Sequence, residues 1–174
     1  MDDKSSSYVL RSYFVTCVIV VLVSVLFANL EYNYIQRESL PYREARKPLV
    51  GIFYPYHLEA FIPLIALLAF QPFIHEMLLK RRRSKAGLRM SFALGVGNLL
   101  IGLLLVDSVW FMFRVFAPLD SDPLANQWIR PSDYTASIMG YTVILGVTVP
   151  LWYMILIPPI IVIFLALLIT PHSP

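Results

Sequence analysis

The chain has 174 residues, 58% of them hydrophobic and only 14% charged, with a mean hydropathy of +0.69. A soluble domain carries about 25% charged residues, so this balance predicts a membrane protein and leaves no room for a separate soluble domain. The net charge of +3 gathers in one loop, where topology and anionic lipid headgroups account for it without nucleic acid, and the single cysteine, Cys17, excludes an internal disulfide, a Cys-x-x-Cys pair or a Cys₄ zinc site.

The first predicted span covers about residues 8–30. Its charge-free part, Ser12 to Leu30, is 19 residues long and rich in valine and leucine. A bilayer core needs roughly 20 apolar residues as helix. A cleaved signal peptide is the competing reading, but the apolar run exceeds the usual ~7–15 residues and no small-x-small site follows. Residues 31–56 form a first outer loop with charges of both signs. Tyr32, Tyr34, Tyr42, Phe53, Tyr54 and Tyr56 crowd its ends, as side chains of the headgroup zone do.

The second span covers about residues 57–79, with Pro63 near its start and Pro72 deeper, where it frees the Leu68 carbonyl. The loop 80–89 follows. Six of its ten residues are basic: Lys80, Arg81, Arg82, Arg83, Lys85 and Arg89. Basic residues in short loops resist translocation, so this loop is assigned to the cytoplasm and both termini with it. The inner side then holds eight Lys and Arg residues and the outer side six, so the density of this loop decides the orientation.

The third span covers about residues 88–113. Ser91, Gly95, Asn98 and Gly102 recur at four, three and four residues and share a narrow arc. Small side chains let helices approach in lipid, and Asn98 can bond across such a contact, so the stripe predicts helix packing. Residues 114–133 form the second outer loop, with Asp120, Asp122, Arg130 and Asp133 among prolines. They are read as Asx-type turns, since the graded ligands and central glycine of a calcium loop are missing. Tyr134 to Thr170 is 37 residues without a charge. The reading is an interfacial or tilted segment over about 134–147, then a fourth span over about 149–169, with Pro150 in its first turn and Pro158 and Pro159 bending it.

The expected architecture is a single domain over 1–174. It is an all-α, multi-pass integral membrane protein, a four-helix bundle in the cytoplasmic or plasma membrane. The candidate intramembrane polar residues are Glu59, His75, Glu76 and Asp107. His57 and His75 stand about 27 Å apart along a helix, so they cannot share a haem, and no cofactor or metal site is expected. Glu76 has favourable spacing for an ion pair with Lys80. Asp107 is about 9 Å inside the outer end of its span, a costly depth for a carboxylate. It calls for an interhelical partner, with Tyr141, Thr142 or the neighbourhood of Glu59 in reach, or else for a polar cavity that handles a proton or cation. Arg114 is too far along the helix for a direct local pair and is read as snorkelling outward. No nucleophile elbow, phosphate-binding loop or zinc-protease motif is present. The functional expectation is a non-enzymatic subunit or scaffold in a homo- or hetero-oligomer. The alternative is a small transporter or ion-conducting subunit using intramembrane carboxylates.

Overall fold

A computed structural model describes residues 3–35, 60–78, 85–118 and 124–169. The protein is mostly helical. Helix α1 (Asp3–Leu30) runs on into a π-helical turn, Glu31–Ile35. Helix α2 (Ile62–Leu78) carries Pro72 at a buried position. Helix α3 (Lys85–Phe116) is 32 residues long, about 48 Å by helical rise. No proline interrupts it, and Pro118 lies just past its end. A short helix α4 (Tyr134–Met139), strands β1 (Tyr141–Ile144) and β2 (Val147–Pro150), and helix α5 (Leu151–Ile169) complete the described chain. Two helical stretches, Ser12–Asn33 and Leu88–Phe116, are long and apolar enough to cross a membrane.

Helix α3 is the axis of the packing, touching α1, α2 and α5. Contacts give the directions. Tyr13 of α1 reaches Ser91 and Tyr32 reaches Trp110, so α1 and α3 are parallel. Glu76 of α2 meets Ser91, and Ile65 lies where a Gly102 side chain would project, so α2 runs the other way. Tyr153 of α5 meets Asp107 and Ile163 lies beside Gly97, so α5 is also antiparallel to α3.

Close approach of α1 and α2 to one face of α3 depends on glycine. A Cβ on Gly95 would stand 2.5 Å from the Phe70 ring, and one on Gly102 would stand 2.7 Å from Ile65 Cγ2 and 3.1 Å from Val20 Cγ1. One buried cluster joins Val20, Ala28, Phe61, Ile65, Ala69 and Val106 between α1, α2 and α3. A second joins Phe111, Ile129, Ala136, Trp152 and Tyr153, where α3, α4 and α5 meet the connecting segment.

Residues 134–150 correct the all-α expectation. In place of an interfacial or tilted segment they form α4 and an antiparallel hairpin, in the register Tyr141↔Pro150 to Ile144↔Val147. Helix is broken at Gly140, whose φ is +79°. The strands that follow are rich in the β-branched Thr142, Val143, Ile144, Val147, Thr148 and Val149. Leu145 and Gly146, with φ of 50° and 81°, form a two-residue turn whose left-handed backbone matches the twist of a hairpin. Pro150 closes β2 instead of opening a helix, and α5 starts at Leu151. Helix α3 begins at Lys85 and ends at Phe116, so residues 85–89 of the basic loop and 114–116 of the second outer loop are helical.

Candidate functional site

The hydrogen-bonded polar side chains that join the helices form two groups along α3, one near Ser91 and one between Asp107 and Arg114. At the end near Ser91, three helices meet. Ser91 Oγ donates to Glu76 Oε2 at 2.6 Å, and the Tyr13 hydroxyl donates to the Ser91 backbone carbonyl at 2.8 Å. Ser91 is fully buried. Glu76 thus engages α3 from α2. His75, one residue away, faces outward and is exposed.

Asn98 and Gly102 lie farther along the same face. Asn98 is 1% exposed, yet its Nδ2 has no hydrogen-bond partner, and the buried Ser24 Oγ of α1 has none either. The stripe Ser91, Gly95, Asn98 and Gly102 therefore faces the interior between α1, α2 and α3. Lys80, Arg81, Arg82, Arg83 and Glu59 lie outside the described residues, so the spacing of Glu76 and Lys80 has no structural counterpart here. Of the other two basic-loop residues, Lys85 opens α3 and Arg89 is exposed on its first turns.

The second polar group occupies the opposite end of α3, where Asp107, Trp110, Phe111 and Arg114 recur at helical spacing on one side. Asp107 accepts 2.7 Å from the Tyr153 hydroxyl of α5 and 3.1 Å from Thr135 Oγ1 of α4. These donors stand where Tyr141 or Thr142 was expected; Glu59 lies outside the described residues. The reason is the hairpin: it carries Tyr141 and Thr142 away on the strand and returns the chain so that Tyr153 faces Asp107.

Arg114 does not snorkel. It is 2% exposed, among the largest fully buried side chains of the protein. Nη1 and Nη2 bond Asp133 Oδ1 and Oδ2 at 3.2 and 2.7 Å, Nη2 also reaches the Trp128 carbonyl at 2.7 Å, and Nε bonds the Gln127 carbonyl at 2.8 Å. The guanidinium lies 4.8 Å from the Phe111 ring centre and 5.6 Å from that of Trp110. A fork that engages two carboxylate oxygens and two carbonyls at once uses arginine's several donors in a way lysine could not.

The connecting segment is wrapped around this side chain. The Asn126 N–H returns to the Arg114 carbonyl at 2.9 Å, and Asn126 takes φ of 64° to make that turn. Asp133 precedes α4 as its N-cap residue, but its carboxylate makes no cap bond. It faces Arg114 and accepts the Arg130 backbone N–H at 2.7 Å. Burial alone would raise the Asp133 pKa. The bond to Arg114, the Arg130 N–H and the two positive charges outweigh it, and the carboxyl is held below its ordinary value.

Both ends of α3 are satisfied by hydroxyls, carbonyls and one ion pair from neighbouring elements. Among the described residues no group of three or more His, Cys, Asp or Glu side chains could hold a metal. Thr135, Tyr153 and Trp128 were not singled out by sequence reasoning, which read Arg114 as snorkelling and Asp133 as part of Asx-type turns. The one signal was an arginine at a span end followed by a short, proline-rich, aspartate-bearing segment. Comparison of the chain with protein-family models, with characterised proteins and with solved structures finds no match.

Proposed function

We propose that the chain is a multi-pass integral membrane protein, crossing four times through α1, α2, α3 and α5 with both termini cytoplasmic, and that it serves as a non-enzymatic subunit or scaffold of a membrane assembly. The alternating directions of these helices support the crossings. The main support is the apolar surface that folding leaves uncovered. Only 28% of the Ser12–Asn33 window and 22% of the Leu88–Phe116 window is buried. The core helix of a soluble protein would be mostly covered. Phe14, Leu22 and Leu26 of α1 are 58–70% exposed, and α5 exposes Ile155, Ile161 and Val162 at 50–69%. In water such a surface would aggregate, whereas lipid or another protein solvates it.

The subunit reading draws on the polar groups. Asp107, Glu76 and Asp133 are each engaged in holding one element against another, an arrangement suited to structure rather than turnover. Extraction in a mild detergent with native partners, followed by mass measurement, tests it: a mass above that of one chain plus bound detergent is expected, and a lone chain that carries ions in liposomes overturns it. Topology is tested with outside cysteine labelling in a Cys17→Ser background. Cysteines at Ser39 and Ser121 should react and one at Ser84 should not; strong outside reaction at Ser84 reverses the orientation.

A further inference from the structure

The hairpin and the segment around Arg114 enclose an open cleft of about 520 Å³, lined on one side by Gln127, Trp128 and Arg130 and on the other by Gly146, Val147 and Thr148. Its charge is unbalanced. Arg114 pairs directly with Asp133, and Arg130 adds a second positive charge beside that one carboxylate, which leaves the three groups with a net charge of +1. Arg130 bonds Asp133 only through its backbone; its Nε is sealed from solvent with no acceptor, and its guanidinium forms no ion pair among the described residues. A half-buried guanidinium with no direct ion pair has lost part of its hydration and recovers little of it through space.

Apart from Gln127 and Thr148, the rest of the lining is without polar side-chain groups except the Trp128 ring nitrogen, and it is continuous with the hairpin tip. Val143, Ile144 and Val147 are 44–57% exposed and Leu145 is 99% exposed. No charged residue occurs from Tyr134 to Thr170. The open edges of a two-stranded hairpin cannot lie in hydrocarbon, where unpaired backbone groups cost several kcal/mol, so this element belongs at headgroup depth. A cation in an apolar cleft at that depth matches an amphiphile with an anionic head.

We propose that this cleft holds the phosphate of an anionic phospholipid of the outer leaflet, with the Arg130 guanidinium on the phosphate and the glycerol-acyl part against Trp128 and Val147. The site rests on the membrane reading above and is separate from the cytoplasmic basic loop. Guanidinium is the preferred partner for such a group because its donors meet two phosphate oxygens together. The apolar hairpin tip holds the lipid's chains on the same side.

The test uses the full chain with Cys17→Ser and a reporter at Thr148→Cys, repeated with Gln127→Cys in case one variant misfolds. The protein is reconstituted in vesicles of phosphatidylcholine alone or with phosphatidylglycerol, and reaction with a water-soluble maleimide is timed. Phosphatidylglycerol should slow labelling several-fold, and Arg130→Gln should weaken that protection about tenfold in lipid concentration, as loss of a charge-assisted bond implies. Arg89→Gln, at the other end of α3, should leave it unchanged. Equal labelling in both vesicles, protection that survives Arg130→Gln, or equal protection by inorganic phosphate overturns the site. Alkaline carbonate extraction of the same vesicles separates the two claims. A chain that stays inserted but shows no protection defeats the lipid site alone, and one that is washed off defeats the membrane reading.

Discussion

Asp133→Asn is the most informative single change, because it removes a charge from a closed site and almost nothing else. Arg114 and Asp133 are 2% and 9% exposed. Breaking a buried pair by removing one partner costs about 3–5 kcal/mol, since the remaining charge cannot recover its hydration. Arginine cannot escape by losing its proton. Two carbonyls, from Gln127 and Trp128, stay with the guanidinium, so the loss should sit near the lower end, about 3 kcal/mol. Helix capping contributes little to this figure, because the Asp133 carboxylate makes no cap bond to α4.

The assay is unfolding of the purified protein in mixed micelles by rising SDS fraction, followed by tryptophan fluorescence. Trp128 and Trp110 report locally, since one supplies a carbonyl to Arg114 and the other lies beside it. A paired replacement, Arg114→Met with Asp133→Leu, removes both charges and should destabilise less than Asp133→Asn alone. The pH dependence has a fixed sign. The folded Asp133 pKa lies below the ordinary 3.8, so the pair's contribution is complete above that value and fades as pH falls through the lower folded value. The variant should lack this acid-side loss. A cost under about 1 kcal/mol for Asp133→Asn, or a double variant worse than either single one, would refute the view of Arg114 as a paired internal clamp.

Asp107→Asn should retain the fold and near-normal stability, because its amide can still accept from Tyr153 or Thr135. Asp107→Leu should lose about 2–4 kcal/mol by stranding both buried hydroxyls, as read by the same SDS titration. If Asp107→Asn instead folds normally but abolishes a pH-dependent flux that the parent shows, the carboxylate is functional and the scaffold reading fails. Gly102→Leu should disrupt packing more than Leu103→Ala, because even a Cβ there meets Ile65 and Val20 within 3.1 Å. Normal elution and stability of Gly102→Leu would show that α1 and α2 can separate from α3 without cost.

Much of the helical content was legible because lipid-length apolar runs announce themselves. The charge-free run Ser12–Leu30 and the stretch after the basic loop both lie in helices long enough to span. The segment 134–150 was not legible, for a physical reason. Hydropathy measures transfer from water, and an apolar hairpin scores like an apolar helix. What separates them is local: Gly140 and Gly146 at positive φ and a run of β-branched residues between. Weighing that stretch by hydropathy and not by backbone conformation gave an interfacial or tilted segment in place of a hairpin. Arg114 was misjudged in a related way. Helical spacing compares residues on one helix, and on that scale Arg114 has no carboxylate in reach. Its partner is 19 residues away, brought back by the turn at Asn126.

That returning segment explains how α3 can carry polar side chains that are buried. Asp107 and Arg114 stand seven residues apart on one helix but do not pair with each other. Each is met by a different element: Arg114 by the stretch Gln127–Asp133, and Asp107 by Thr135 and Tyr153. All of these partners lie between residues 127 and 153, and that stretch also contains the hairpin. The segment therefore acts as a plug over one end of α3, fixed by an ion pair at one point and a hydroxyl-carboxylate pair at another. Losing either anchor should loosen the hairpin as well as the helix end, because Leu151 N–H is bonded to the Gly140 carbonyl, at 3.0 Å, across the hairpin's base. Hydrogen exchange of the hairpin amides measures this directly. Asp133→Asn and Asp107→Leu should both speed exchange at Thr142 and Val149, which face each other in the ladder. Unchanged hairpin exchange in both variants would mean that the anchors hold only their own neighbourhoods and that the plug does not act as one body.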